Sequence, residues 1–305
     1  MMEHIEGVWM QKLLWLQSVL GVWLVLFLLY PVVADGTASY AKPATRNLVA
    51  FVEAAAAAVH QEGEEAFPDF RRVGGPWYQG DRYIFVWDLQ GNRYVYPPDP
   101  EHERGNFLNL KDVGGKPIGK MIVAAAAEGD GKGWVHYQWT RPRELDPQWK
   151  STYIVRAVAP SGKVYLVGSG MYGAGMEEAF IVEEVEAAAA LLQREGHAAF
   201  VTLRDSKSRF YFHDTYIFVI TSTGIELVNL AFPALEGRNL WDIQDVNGKY
   251  IVRELVDLAQ KKGAGWVTYY WPRPNAPQLP VKKASYVKKV MVGDEVLFVG
   301  AGMYE

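Results

Sequence analysis

The sequence predicts an α+β protein: two copies of one domain behind an apolar N-terminal segment. Three observations lead there. Gly133-Trp134-Val135-His136-Tyr137-Gln138-Trp139-Thr140-Arg141-Pro142 returns as Gly265-Trp266-Val267-Thr268-Tyr269-Tyr270-Trp271-Pro272-Arg273-Pro274. Tyr83-Ile84-Phe85-Val86 returns as Tyr216-Ile217-Phe218-Val219, and Gly168-Ser169-Gly170-Met171-Tyr172 as Gly300-Ala301-Gly302-Met303-Tyr304, with the spacing kept to within one residue. The repeat is about 130 residues long, too long for a solenoid unit and ordinary for a domain. Each copy orders its elements as long helix, two strands, helix, three strands, a pattern that suits an antiparallel sheet with helices packed on it.

The elements follow in order. Leu13 to Ala34 is apolar apart from Gln17 and Ser18, Lys12 precedes it, and Val32-Val33-Ala34 offers a cleavage site before Asp35. Residues 1–34 therefore read as a signal peptide, with an uncleaved membrane anchor over residues 13–34 as the alternative. Residues 35–45 are small and polar and read as a linker. Asn47 to Gln61 carries Leu48, Phe51, Val52, Ala55 and Val59 at helical spacing and stops at Gly63; Glu177 to Arg194 stops at Gly196 in the same way. Short helical pieces follow, Glu64 to Phe70 and His197 to Leu203. A hairpin comes next, Tyr83 to Leu89 and Arg93 to Tyr96 about Gln90-Gly91-Asn92, repeated as Tyr216 to Thr221 and Ile225 to Asn229 about Ser222-Thr223-Gly224. Asp112-Val113-Gly114-Gly115-Lys116 and Asp245-Val246-Asn247-Gly248-Lys249 are turns, each before a helix (Pro117 to Glu128, Tyr250 to Lys261). Three strands close each unit: Gly133 to Arg141, Ser151 to Ala157 and Val164 to Gly168, then Gly265 to Arg273, Ala284 to Val290 and Glu295 to Gly300. The domains are set at 46–173 and 176–305. Each holds a complete helix and sheet set and is expected to fold as a unit.

Composition excludes several functions. Half of the 305 residues are apolar, the formal net charge is −4, and the 31 Lys and Arg form no basic block, which argues against a nucleic-acid partner. With no cysteine, thiolate nucleophiles and Cys-based zinc sites are ruled out. The six histidines recur in neither copy and lack metal-ligand spacing, so no metal is expected. No nucleophile stands beside a candidate base, so no catalytic residue and no cofactor are expected, and the chain reads as a non-enzyme. Gly168-Ser169-Gly170-Met171-Tyr172-Gly173 fits a dinucleotide fingerprint in letters alone. Its second copy ends the chain, so it reads as a closing turn. Asp112 and Asp245 read as turn caps.

One constellation remains. Alternation along the Gly-Trp-Val strand places Tyr137, Trp139 and Arg141 on one face, and Tyr269, Trp271 and Arg273 on the same face of the other copy. Lys150-Ser151-Thr152-Tyr153 and Lys283-Ala284-Ser285-Tyr286 follow, so Lys150 with Tyr153, and Lys283 with Tyr286, are assigned to the same sites. Cation, hydroxyl and flat apolar wall together suit a small organic anion or amino acid. Structural packing of strand aromatics is the competing reading.

These blocks resemble a Cache domain of the single, type-2 kind, present twice. The first copy carries the resemblance in Gly80-Asp81-Arg82-Tyr83-Ile84-Phe85-Val86-Trp87-Asp88, Gly105-Asn106-Phe107-Leu108-Asn109 and Gly133-Trp134-Val135. The second carries it in Glu236-Gly237-Arg238-Asn239-Leu240-Trp241-Asp242, Gly265 to Pro272 and Val299 to Tyr304. The resemblance implies a PAS-like fold, with a long N-terminal helix on a curved antiparallel sheet and a ligand pocket on the other side. It also implies extracytoplasmic sensing of small carboxylates or amino acids, as in chemotaxis receptors and sensor kinases. The family often has Ala-His-Pro after the first hairpin, where this chain has Val95-Tyr96-Pro97 and Asn229-Leu230; Arg104-Gly105 inverts the order seen at Gly237-Arg238. The two copies need not share a ligand. With no signalling module after the last strand, the expected function is a periplasmic or secreted binding module that signals through a separate membrane partner. An accessory or scaffold subunit of an envelope signalling complex, without a ligand, is the alternative, and a secreted enzyme is the second. Export has a direct check: terminal sequencing of the mature protein should begin at Asp35, and a retained Leu13–Ala34 segment would replace cleavage with anchoring.

Overall fold

The computed structural model describes residues 40–127 and 129–305. The leader segment and its expected cleavage point lie outside the described residues. Helix α1 (Pro43–Glu62) opens the first domain, with proline in its first turn and Gly63, at φ 64°, ending it. A glycine takes that left-handed conformation without steric cost. Leu48, Val52, Ala55 and Val59 are buried, as the helical spacing predicts; Ala56 joins them, and Phe51 is only partly buried. Then come α2 (Phe67–Arg71), the short pair β1 (Tyr78–Gln79) and β2 (Arg82–Tyr83), β3 (Phe85–Trp87), β4 (Arg93–Val95), α3 (Ile118–Ala127), β5 (Lys132–Thr140), β6 (Pro147–Val158) and β7 (Val164–Tyr172). The second domain repeats this as α4 (Glu178–Glu195), α5 (Ala199–Leu203), β8 (Tyr211–Phe212), β9 (Thr215–Tyr216), β10 (Phe218–Thr221), β11 (Glu226–Asn229), α6 (Ile251–Lys262), β12 (Ala264–Arg273), β13 (Ala276–Val292) and β14 (Glu295–Tyr304).

Each domain builds a five-stranded antiparallel sheet, ordered β4-β3-β7-β6-β5 and β11-β10-β14-β13-β12. Two cores result, one on each side of each sheet. The long helix packs on one face, where Leu48, Val52 and Val59 meet Trp134, Tyr153 and Val167 in the first domain. The shorter α3 packs on the other, where Ile118, Ile122 and Ala126 meet Phe85, Val135 and Ile154. The second domain has the same layers, with α4 and α6 in the two roles.

The closing strands run further than the alternation suggests. The Gly-x-Gly-Met-Tyr segments are not closing turns. They lie inside β7 and β14 and pair along β6 and β13, Lys150 opposite Tyr172 and Lys283 opposite Tyr304. Asp112 and Asp245 are turn caps, as expected. One carboxylate oxygen accepts the backbone N–H of Lys116 or Lys249, and the other reaches the edge strand at Gln138 N or Tyr270 N.

The two domains share buried residues. Glu177, 2% exposed, starts α4, yet its carboxylate accepts the N–H groups of Ala41 and Lys42 at 2.9 and 3.0 Å and the Thr45 hydroxyl at the start of α1. A carboxylate there also answers the positive end of the helix dipole. Phe180 of α4 and Phe212 of β8 complete the first domain's core: Phe180 lies 4.8 Å from the Trp134 ring, and Phe212 stacks on His136 at 4.2 Å. Lys116, beside α3, sends its ammonium into the second domain, donating to the carbonyls of Ser208 (2.6 Å) and Tyr211. Burial there pushes its pKa down to about 8. The matching Lys249 stays at home and donates to Thr268 O at 2.7 Å.

Two outcomes follow from this sharing. Glu177→Ala leaves two backbone donors and a hydroxyl without their acceptor and should lower stability by about 1–3 kcal/mol, read by urea titration. A fragment ending at residue 174 lacks Glu177, Phe180 and Phe212 and should unfold at lower urea than the intact chain. Equal midpoints would show that the shared residues do not stabilise the first domain.

Candidate ligand-binding site

On the α3 and α6 side of each sheet lies a small cavity. In the second domain it is lined by Tyr216, Phe218, Glu226, Asn229, Tyr269, Trp271 and Lys283 from the sheet, and by Ile251, Val252 and Leu255 from α6. In the first it is lined by Tyr83, Phe85, Trp87, Arg93, Tyr96, Tyr137 and Trp139, and by Ile118 and Ile122 from α3. Each measures about 30 Å³, room for roughly two waters. The first cavity continues outward into an open groove of about 360 Å³ that shares Tyr83, Arg93, Tyr96 and Trp139 with it and adds Asp99, His102, Arg141, Arg143 and Glu144.

The structure brings together part of the predicted set. Tyr137 and Trp139, and Tyr269 and Trp271, share the cavity face, as strand alternation requires. Lys283 joins them, directly across from Tyr269 in the register. Lys150 occupies the same place opposite Tyr137 but sits behind Tyr83 rather than on the cavity wall.

Four assignments are corrected. Tyr153 and Tyr286 point to the long-helix side, where their rings pack on Trp134 at 5.1 Å and Trp266 at 5.5 Å. A spacing of three along a strand reverses the face, so Lys150 and Tyr153, or Lys283 and Tyr286, cannot share a cavity. Neither Arg141 nor Arg273 lines its cavity: Arg141 lines the outer groove, and Arg273 lines a separate open cleft with Asp214 and Tyr304. Arg141 pairs with Asp81, and Arg273, past a register shift after Pro272, pairs with Asp214. Their guanidiniums are already engaged at the rim, over the rings of Tyr172 and Tyr304.

The buried lysines are the unusual feature. Each is 1% exposed. Lys150 donates to Tyr83 Oη at 2.9 Å and Lys283 to Tyr216 Oη at 3.0 Å. Aromatic faces take the place of a carboxylate, with Tyr216 and Tyr304 centred 4.1 and 4.9 Å from the Lys283 ammonium. Desolvation dominates, and it pushes both lysines down to about 7. The Gly-x-Gly segments make room for them. A Cβ on Gly302 would stand 2.6 Å from Lys283 Cε and 2.8 Å from the Ala284 carbonyl, and one on Gly300 would run into the Phe218 ring.

Residues outside the predicted set complete the cavities. Tyr83 and Tyr216 belong to a repeated block, and alternation within it could have placed them. Arg93 and Tyr96 stand where the second domain has Glu226 and Asn229. A search restricted to identical positions passes over them.

A sheet with a long helix on one face and a helix-roofed cavity on the other, built twice, defines a tandem PAS-like fold. Residues 45–180 match the family Single Cache domain 2, and residues 199–305 match the family Cache domain. The chain belongs to the Cache sensor-domain family and carries two Cache domains in tandem. It is 32% identical over 117 residues (38% of this chain) to the methyl-accepting chemotaxis protein McpP of Pseudomonas putida. It is 32% identical over 96 residues (31%) to the sensor histidine kinase MctS of Rhizobium johnstonii. The matches span 21% and 20% of those relatives' lengths. Among solved structures, a Cache chemosensory domain studied for carboxylic acid recognition aligns at 27% identity with a TM-score of 0.36, covering 41% of this chain and 90% of that one. A methyl-accepting chemotaxis protein from Vibrio parahaemolyticus aligns at 29% with a TM-score of 0.34, covering 40% and 82%. Among the described residues, no helix is long and apolar enough to cross a membrane.

The lysine site gives two tests. Gly302→Ala forces the Lys283 stem or the neighbouring backbone aside and should destabilise by about 1–3 kcal/mol; an unchanged melting temperature would contradict the crowding. Between pH 7 and about 10, Lys283 is neutral in the fold and protonated when unfolded, so the unfolded chain holds the extra proton and stability rises with pH. Lys283→Met removes that contribution. Its stability relative to wild type should therefore fall by about 1 kcal/mol per pH unit from pH 7 to 9, measured by urea titration; a constant difference would show that Lys283 titrates normally.

Proposed function

We propose that this protein is an extracytoplasmic sensing module that binds a small organic acid or amino acid in its helix-roofed cavities and signals through a separate membrane partner. One observation carries the reading. Each domain buries a lysine beside a Tyr-Trp face with tyrosine hydroxyls and rings, rather than a carboxylate, in contact with its ammonium. A buried cation without a counter-ion is costly, and an anionic ligand removes that cost. The ligand contacts proposed are Tyr269, Trp271 and Lys283 in the second domain and Tyr137, Trp139 and, through Tyr83, Lys150 in the first. The domain division at 46–173 and 176–305, with export by residues 1–34, belongs to the same reading. The likeness to a chemotaxis receptor and a sensor kinase supports the sensing role.

A ligand larger than two waters needs the roof helix to move outward, because each cavity holds only about 30 Å³. That size favours a second reading, a scaffold whose pockets are filled by its own side chains. Thermal-shift screening of small organic acids and amino acids separates the two. A ligand that binds only the folded state raises the melting temperature, and Lys283→Met together with Lys150→Met should abolish the shift. No stabilisation by any such compound at millimolar concentration would favour the scaffold.

A further inference from the structure

The two cavities share their tyrosines and tryptophan, with Lys283 on the wall of one and Lys150 behind Tyr83 of the other, but one wall position is reversed in charge. The second domain carries Glu226 at the start of β11, and the first carries Arg93 at the start of β4. Both side chains are buried, at 4% and 5% exposure, and both line their cavities. Their neighbours changed with them. Glu226 accepts the Asn229 amide at 2.8 Å. Arg93 is sandwiched by the rings of Tyr96 (4.2 Å) and Phe107 (3.6 Å) and donates to the His102 carbonyl. Lys283 and Glu226 face the same cavity without pairing directly, since Lys283 donates to Tyr216 and Glu226 accepts from Asn229. The second cavity therefore presents an ammonium that burial pushes down to about 7 and a carboxyl that burial pushes up to about 8, and a ligand carrying both charges favours the ionised form of each. The first presents the Arg93 guanidinium, with no carboxylate among its lining residues.

We propose that the two cavities select different ligand classes: the C-terminal one a small α-amino acid, the N-terminal one a small carboxylic acid without an amino group. In the C-terminal cavity the ligand carboxylate meets Lys283 and its ammonium meets Glu226, so each buried charge gains a partner. An acid lacking the amino group leaves Glu226 without a cation. In the N-terminal cavity Arg93 and the nearby Lys150 favour the carboxylate, while a ligand ammonium meets a guanidinium and no acceptor of opposite charge. Discrimination comes as much from that repulsion as from the attractive contact. This inference rests on the small-acid reading of both cavities.

Titration calorimetry of the full chain with propionate and with L-alanine tests it, since the two share a three-carbon skeleton and differ in the amino group. Wild type should bind both. Glu226→Gln, which keeps the side chain's shape, should weaken alanine about tenfold or more and leave propionate unchanged; Glu226→Asp should restore much of the alanine binding. Arg93→Gln should do the reverse, weakening propionate and sparing alanine, with Arg93→Lys restoring it. Thermal melts of each variant confirm folding. The inference is overturned if both ligands lose affinity together in either variant, if Glu226→Gln binds alanine as wild type does, or if wild type binds propionate alone. Binding of neither ligand by wild type would overturn it and the small-acid reading with it.

Discussion

A lysine ammonium buried among tyrosines is the constraint around which each sheet is organised. Lys150 lies across from Tyr137 on one neighbouring strand and Tyr172 on the other, and under Tyr83; Lys283 repeats this with Tyr269, Tyr304 and Tyr216. The stem of each lysine runs over a glycine, because any larger residue at Gly170 or Gly302 would occupy its path. The repeated Tyr at the start of the hairpin, the repeated Tyr in the edge strand and the repeated Gly-x-Gly-Met-Tyr thus have one common cause. They look like three separate motifs in the sequence and converge on one side chain in the fold.

Much of this is legible in the sequence. The helical stripe of Leu48, Val52, Ala55 and Val59, the order of the elements and the shared face of Tyr269 and Trp271 follow from periodicity, and the structure repeats them. Periodicity also contained the correction to Tyr153 and Tyr286, since three steps along a strand change its face. The engagement of Arg141 with Asp81 and of Arg273 with Asp214 was not legible, because those partners lie some sixty residues away. Nor was the joining of the domains. Glu177 reads as the start of its own helix, and nothing in its neighbourhood announces that its carboxylate serves another helix more than a hundred residues earlier.

Identity between the copies located the frame of the cavity; difference between them located its chemistry. Tyrosine, tryptophan and lysine recur because they maintain the packed wall and the buried ammonium. The positions free to diverge are those on the hairpin, Arg93 and Tyr96 against Glu226 and Asn229, where a side chain reaches the cavity while its backbone lies at the sheet edge. An edge strand pairs on one side only, so it absorbs a change of charge and size more easily than β6 or β13, which pair on both sides.

The lysine that follows each turn is attached differently in the two domains. Lys249 fastens the entry of α6 to its own edge strand through Thr268, whereas Lys116 fastens the entry of α3 to the backbone of the second domain at Ser208 and Tyr211. The roof of the first cavity is therefore a lever whose far end rests on its neighbour, and the roof of the second is hinged only to its own sheet through this contact. Two copies of one architecture have become an ordered pair, in which the entry of one roof helix is tied across the domain boundary and the entry of the other is tied within its own domain.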